Sequence, residues 1–116
     1  MKERILLVGE DSALLATRAF LLAEWQTEIV NTKAALPAIQ AKPFDIVIIG
    51  QLVSAVATKR LIAEARKLNP APSILAVRFI GEGIDFEVET HFANSEESPG
   101  WLQDCVARLL AERKAS

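Results

Sequence analysis

Residues Phe44–Gly50 read FDIVIIG, and Ile46–Ile49 within them are four consecutive apolar residues that favour a β-strand. A strand with one face in water would alternate apolar and polar residues. This strand is therefore predicted to be buried on both faces, in the middle of a parallel sheet covered by helices. Ligands of open parallel sheets bind just past the carboxyl ends of the strands. Here that end is Gly50–Ser54, which offers no acid, base, thiol or metal ligand.

Length and composition indicate one soluble domain, predicted over residues 1–113, with a frayed tail at 114–116. A chain of 116 residues should bury roughly 65% of its unfolded surface. The net charge of −2 gives no electrostatic reason to expect nucleic acid or an anionic membrane as a direct partner. The single cysteine, Cys105, excludes an internal disulfide and fits a reducing, cytoplasmic setting.

Apolar runs and helical periodicity predict alternating strands and helices along the chain. Pro37 should lie in the first turn of its helix or delay the start of that helix, because a deeper proline costs about 3 kcal/mol. The predicted strands are Arg4–Gly9, Thr27–Asn31, Phe44–Gly50, Ser73–Arg78 and, at an edge, Phe86–Thr90; the predicted helices are Ala13–Trp25, Thr32–Gln40, Ala57–Leu68 and Trp101–Arg113.

The alternation predicts an α/β fold with right-handed crossovers and a five-stranded parallel sheet with helices on both faces. The flavodoxin-like order 2-1-3-4-5 places the two most apolar strands, Arg4–Gly9 and Phe44–Gly50, in the middle. Two segments break the alternation. Phe79–Asp85 has no helical period, so the fourth helix is expected to be missing or reduced, and His91–Gly100 is predicted to be a loop.

From Ile5 to Leu110 the chain resembles the CheY-like receiver domain of response regulators. Ile5–Val8 followed by Gly9-Glu10-Asp11 is similar to the family's apolar first strand with its acidic pair. Ala35-Leu36 and Pro43–Ile48 are similar to its second helix and third strand. The resemblance implies the order of elements given above and a role in two-component (phosphorelay) signalling.

The chemical positions that the resemblance implies are all altered. Receivers are phosphorylated on an aspartate at the end of the third strand, where this sequence has Gly50, so no phosphoacceptor is expected. Asp45 cannot substitute, since it lies at the start of the strand, about 17 Å away. The acidic pair that helps hold Mg²⁺ is Gly9-Glu10, a poor metal site, so no metal or other cofactor is expected. The Thr or Ser of the fourth strand is replaced by Arg78, and the Lys-Pro of the fifth by Thr90-His91.

These strand ends are predicted to form a vestigial acidic pocket, made of Glu10, Asp11, Gly50, Arg78 and Thr90. We expect the Arg78 guanidinium to occupy the space of the lost metal and to pair with Glu10 or Asp11, because arginine stays charged and binds carboxylates in a fork. The alternative is that Arg78 points into solvent. His91 is interpreted as a surface residue and Cys105 as an inert, partly buried thiol.

Aromatic residues cluster in sequence around the missing helix. The simpler interpretation is that they pack over the gap and the last helix. The functional interpretation is an exposed apolar patch for a partner or a second copy, on the face through which receivers commonly dimerise or signal. The possible interface residues are Phe79, Phe86, Phe92 and Trp101.

The predicted function is a non-enzymatic receiver-like module, a pseudo-receiver, that acts by protein–protein interaction independently of aspartyl phosphorylation. Its expected partners are other proteins, an output domain in a longer chain or a second copy in a homodimer. Two alternatives remain: a domain that binds a small ligand, such as a nucleotide, in the strand-end crevice, and a phospho-receiver with Glu10 or Asp11 as an unconventional acceptor.

Overall fold

The structure is a computed structural model that describes residues 3–78, 91–94 and 100–115, with the backbone only for Arg78 and residues 91–94. Strands and helices alternate along most of this part of the chain. Their bounds are β1 Arg4–Val8, α1 Ser12–Leu21, β2 Gln26–Val30, α2 Thr32–Ala41, β3 Ile46–Ile49, α3 Ala55–Arg66, β4 Ser73–Arg78, β5 His91–Asn94 and α4 Trp101–Ala115.

The first four strands form a parallel sheet in the order β2-β1-β3-β4, which confirms the predicted order for these strands. The central strand β3 lies between β1 and β4, with Ile48 opposite Leu7 on one side and Leu75 on the other. All four of its residues, Ile46–Ile49, are buried. The uninterrupted apolar run is therefore explained by burial on both faces.

The last strand lies outside its predicted place. β5, His91–Asn94, pairs in parallel with β4 at the edge of the sheet, and Leu75 lies opposite His91. These four residues were predicted to be part of a loop, so that prediction is wrong for them. The polar residues at both ends of the tetrapeptide gave no apolar run. The strand predicted at Phe86–Thr90 and the missing helix predicted at Phe79–Asp85 both lie outside the described residues.

Alternate residues of the central strands enter two separate apolar clusters, one on each face of the sheet. On one face Ile5, Ile48 and Val77 pack against α1 and α4; we call this the α1/α4 side. On the other, Val8 and Val47 pack against α2 and α3, which is the α2/α3 side. This two-residue periodicity follows from the pleat of the strands.

Side-chain caps begin three of the helices. Oδ1 of Asp11 accepts from the backbone N–H groups of Ala13 and Leu14 at the start of α1. Asn31 and Ser54 cap α2 and α3 in the same way, through the N–H groups of Ala34 and Ala57. Each such cap typically stabilises a helix by about 1 kcal/mol.

All four helices differ from the prediction at one or both ends; α3, for example, runs over Ala55–Arg66 and not Ala57–Leu68. The first helix ends at Leu21, since the N–H groups of Ala23 and Trp25 turn back to Phe20 and Leu22. Pro37 lies in the sixth position of α2, deeper than predicted. Both Pro37 and Lys33, whose carbonyl group loses a helical partner, are exposed, so water can satisfy that carbonyl. The last helix runs past Arg113 to Ala115.

Within the residues that the structure describes, none of the helices combines the length and the apolar character that crossing a membrane would require.

Candidate functional site at the carboxyl end of the sheet

Two buried glycines, Gly9 and Gly50, lie side by side where β1 and β3 end. The N–H of Gly50 donates to the carbonyl oxygen of Val8 over 2.9 Å. A Cβ atom on Gly50 would lie 3.2 Å from that same oxygen and 3.4 Å from Nη1 of Arg18. A Cβ atom on Gly9 would lie 3.0 Å from Cδ2 of Leu15. Larger residues at positions 9 and 50 would therefore contact side chains of α1, and at position 50 the backbone of Val8 as well.

Arg18 is the centre of this site. It lies on α1 and is only 4% exposed, which is rare for an arginine. Its Nη2 donates a hydrogen bond of 2.8 Å to Oε1 of Gln51, the residue that follows Gly50. Its guanidinium carbon lies 5.9 Å from the ring centre of Trp101, within range of a cation–π contact. Arg18 thus joins α1, the end of β3 and the start of α4.

The charge of Arg18 is maintained against burial. Loss of hydration lowers the pKa of the guanidinium, while the negative charge of Asp11 opposes that shift. The ordinary pKa of a guanidinium is so high that the group stays protonated at neutral pH. In the described part of the chain, no carboxylate lies within ion-pair distance of it. The site therefore contains a buried positive charge. Contacts with the Gln51 amide and the Trp101 ring partly replace its lost hydration.

The two acidic residues after β1, Glu10 and Asp11, accept hydrogen bonds from backbone N–H groups at the starts of helices. Oε1 of Glu10 accepts from the backbone N–H of Thr32 over 3.0 Å, which ties the end of β1 to the start of α2. Hydrogen bonding from Thr32 lowers the pKa of Glu10. The side chain of Thr32 contributes more to this shift than its backbone does. Asp11 caps α1. The structure thus gives both carboxylates a structural task.

Little free volume remains among these residues. The cavity bounded by Gly9, Glu10, Asp11, Arg18 and Gly50, with neighbouring leucines and Gln51, is about 10 Å³. A cavity needs roughly 10–15 Å³ to hold one water molecule. It has no room for a phosphoryl group or a small organic ligand without movement of Arg18. In the described ranges, no three His, Cys, Asp or Glu side chains are grouped as a metal site would require.

Other predicted site residues are distributed as follows. The Arg78 side chain lies outside the described part of the structure, so its pairing with Glu10 or Asp11 stays a prediction. Thr90 also lies outside it, so its place in the predicted pocket stays a prediction. In the observed register Asn94 lies opposite Arg78, at the carboxyl end of β5.

Of the possible interface residues, the structure describes the side chain of Trp101 alone. It is half-buried, packs against the core on the α1/α4 side and faces Arg18. Phe79 and Phe86 lie outside the described residues, as do the side chains of Phe92 and His91. Cys105 is buried in α4, in agreement with its predicted burial.

Asp45 has a structural role at the opposite end of the sheet. Its Oδ2 accepts from the backbone N–H of Arg4 over 2.8 Å, and its Oδ1 lies 4.0 Å from Nη2 of Arg113. This carboxylate therefore connects β1, β3 and α4, which explains an acidic residue just before a buried strand.

Arg18, which lies within the predicted helix Ala13–Trp25, was not identified from the sequence as a site residue. A signal was present: Arg18 follows Leu15 by three residues and precedes Leu22 by four, so it shares the inward face of α1 with both. A charged residue on that face, opposite a strand end without an acid, indicates a buried cation.

Comparison with known proteins finds the same fold. Neither a family model nor a curated protein matches the sequence. Among solved structures, the signal receiver domain of a Vibrio parahaemolyticus protein superposes with a TM-score of 0.82 at 15% identity, covering 99% of this chain and 95% of that one. A CheY-like response regulator receiver domain from Methanospirillum hungatei has a TM-score of 0.76 at 18% identity, and each chain is covered completely.

A third similar structure is a complex of the histidine kinase ThkA with the response regulator protein TrrA. The match has a TM-score of 0.76 at 17% identity and covers 93% of this chain and 98% of that one. These comparisons confirm the fold that the resemblance predicted: this chain has the CheY-like receiver fold.

Proposed function

We propose that the protein is a receiver-like signalling module of two-component type that acts through protein–protein contacts and without aspartyl phosphorylation. The fold supports a place among receiver domains. The proposal of a non-enzymatic, phosphorylation-independent role rests on the site at the carboxyl end of the sheet.

One observation carries the proposal: Nη1 of Arg18 lies 3.4 Å from the position of a Cβ atom on Gly50. A receiver would place its phosphoacceptor aspartate at that position and a metal ion beside it. Here a guanidinium, a permanent cation attached to the fold, takes part of that space. The site can therefore have a positive charge without binding a metal and without accepting a phosphoryl group.

The alternative functions receive less support from the same contacts. A small ligand in the crevice would need more than the cavity of about 10 Å³ beside Arg18. Glu10 and Asp11 are already used as hydrogen-bond acceptors at the starts of α2 and α1, and phosphorylation would modify those carboxylates. The partners are accordingly proposed to be proteins. The ThkA–TrrA complex is a precedent for contacts between a kinase and a response regulator; an output domain and a homodimer remain proposals.

Incubation with acetyl phosphate and Mg²⁺, followed by intact-mass measurement, tests this function. We expect no gain of a phosphoryl group by the wild-type protein, while a receiver that has its acceptor aspartate gains one under the same conditions. A phosphorylated wild-type protein would contradict the proposal. In that event the Glu10→Gln and Asp11→Asn variants would show which carboxylate accepts.

A further inference from the structure

A groove crosses the outer surface of the α2/α3 side, between the first halves of the two helices. Its volume is about 460 Å³, within the range of about 300–1,000 Å³ that is typical of binding sites. Thr32, Lys33, Leu36 and Pro37 line it from α2, and Ser54, Val56, Ala57, Arg60 and Leu61 line it from the start of α3.

The middle of the groove is apolar and accessible. Val56 is 79% exposed, which is unusual for a valine in a helix that packs on a core. Pro37 is also exposed, Leu36 is half-buried, and Leu61 at the base is buried. The neighbouring Leu52, in the loop before α3, is 51% exposed. The apolar side chains that line the groove are Leu36, Pro37, Val56, Ala57 and Leu61, and binding of an apolar partner would remove their exposed parts from water.

The charges at the groove have one sign. Lys33 and Arg60 line it from its two helices, and none of the lining residues is acidic. Neither cation belongs to an ion pair with another described residue. Both helices also begin here, after the caps Asn31 and Ser54, and helix N-termini favour negative charge. The groove is thus complementary to a ligand that has both apolar groups and carboxylates.

We propose that this groove docks an acidic amphipathic segment of a protein partner. Apolar side chains of the segment lie between Leu36, Pro37 and Val56, and its carboxylates face Lys33 and Arg60. Helices with one apolar face are commonly bound in grooves of this kind. The inference rests on the proposed function, in that it assigns a surface to signalling by protein contact.

Two other occupants fit the groove less well. A symmetric dimer through this face would bring Lys33 and Arg60 of one copy close to the same cations of the other, because such interfaces use the same surface twice. Nucleic acid would require a broad basic surface, whereas the chain has a net charge of −2 and the groove has an apolar centre.

Fluorescence anisotropy of a labelled synthetic helix tests the assignment. The probe has leucines on one face and glutamates on the other; a matched peptide has lysines in place of the glutamates. We expect the acidic probe to bind and the basic one not to. The double variant Lys33→Glu/Arg60→Glu should weaken binding of the acidic probe about fivefold or more, since each exposed ion pair contributes up to about 1 kcal/mol.

The matched control is Lys59→Glu/Arg66→Glu, which makes the same change in charge at exposed positions of α3 outside the groove. This control variant should bind the acidic probe with an affinity within about twofold of that of the wild type. Charges outside the contact act on the probe only through a field that salt screens. Val56→Asp should also weaken binding of the acidic probe. Equal binding of both peptides, or equal losses in the two double variants, would overturn the proposal.

Amide chemical shifts and sedimentation separate the remaining outcomes. Shift changes at Leu36, Val56 and Arg60 on adding the probe support the site, and changes confined to α1 and α4 overturn it. If the wild-type protein is a dimer and Val56→Asp dissociates it, a second copy occupies the groove. That result would overturn the proposal that the occupant is a segment of a different protein. A failure to bind the probe leaves the acetyl phosphate result unaffected, so failure of this surface is distinguishable from failure of the proposed function.

Discussion

Two arginines occupy opposite ends of the same sheet and have different surroundings. At the amino end, Arg113 of α4 donates from Nη1 to the carbonyl oxygen of Ala71 over 3.0 Å and to Oγ of Ser73 over 3.3 Å. Its Nη2 lies 4.0 Å from the Asp45 carboxylate, and a quarter of its side chain is exposed. At the carboxyl end, Arg18 is buried and faces the neutral Gln51 amide and Trp101.

The difference distinguishes a structural cross-link from an altered site. A partly exposed arginine with a carboxylate, a carbonyl group and a hydroxyl group around it is an ordinary tertiary contact, and its net contribution to stability is small. A buried arginine without a carboxylate is costly, because its hydration is lost and only partly replaced. Among the described residues, the positive charge at the carboxyl end of the sheet therefore has no carboxylate within ion-pair distance, although the charge of Asp11 acts on it from farther away. The next three predictions test this contrast, from the largest expected effect to the smallest.

The largest effect concerns an acid restored at position 50. Gly50→Asp should be tolerated in the wild-type background, because the new carboxylate would meet the Arg18 guanidinium. In an Arg18→Met background the same change should destabilise the fold by about 3–5 kcal/mol more, as a buried charge without a partner does. Urea unfolding of the four proteins measures the coupling free energy.

Gly50→Ala in both backgrounds is the matched control, since it adds the Cβ atom near the Val8 carbonyl oxygen without a charge. Gly50→Ala should lower the free energy of unfolding by about the same amount in the wild-type and Arg18→Met backgrounds. If the cost of Gly50→Asp does not depend on the residue at position 18, Arg18 is not the cation that faces this position.

Truncation of each arginine compares the two ends directly. Arg18→Ala should cost about 2–4 kcal/mol, because it leaves a cavity in the core and removes the hydrogen bond to Gln51. Arg113→Ala should cost about 0.5–1.5 kcal/mol, since water can replace its contacts.

Arg18→Met keeps most of the volume and should cost less than about 1.5 kcal/mol. Emission from Trp101, isolated by Trp25→Phe, reports the loss of the guanidinium during the same unfolding experiments. Equal costs for Arg18→Ala and Arg113→Ala would remove the contrast between the two ends.

The smallest expected effect concerns the stability of the protein at acidic pH. Glu3 and Glu10, one near each end of the sheet, contribute to it in different ways. The pKa of Glu3 is lowered, first by its hydrogen bond with Lys114, and that of Glu10 by hydrogen bonding from Thr32. A carboxylate with a lowered folded pKa stabilises the fold above its ordinary value of 4.5, and this stabilisation is lost as pH falls through the lowered pKa.

Melting temperatures between pH 7 and pH 3 should therefore fall less steeply in Glu3→Gln and Glu10→Gln than in the wild type. Added salt should reduce the effect of Glu3, which depends on an exposed pair 2.9 Å long, more than that of Glu10, which is bound by a neutral N–H group. The same salt dependence at both positions would contradict this assignment of causes.

The main features of the fold follow from local patterns in the sequence. The apolar run Ile46–Ile49 predicted a strand buried on both faces, and the alternation of strands and helices predicted the order of the first four strands. The last strand was not predictable in this way. His91–Asn94 has polar residues at both ends, and it is a strand because β4 pairs with it, a tertiary effect that periodicity does not report.

The strand pattern was sufficient to single out Gly50 at the end of β3, but not the side chain that lies against it. The cation predicted there, Arg78, stays untested, because its side chain lies outside the described residues. Sequence reasoning did not identify Arg18 of α1, whose Nη1 lies 3.4 Å from the position of a Cβ atom on Gly50. Which side chain of a covering helix reaches a strand end depends on the rotation of that helix over the sheet, and the apolar residues around Arg18 concealed its inward face.

The leucine beside Gly9 also restricts how this protein can evolve. An acid at position 9 would place its Cβ atom 3.0 Å from Leu15, and an acid at position 50 would meet Arg18 before any metal could bind. Acids introduced at these two positions would therefore have unequal effects: one at position 9 requires the Leu15 side chain to shift, whereas one at position 50 would pair with Arg18. Changes at the two glycines are thus coupled to residues 15 and 18 of α1, so substitutions at the carboxyl end of the sheet and in its covering helix are expected to occur together.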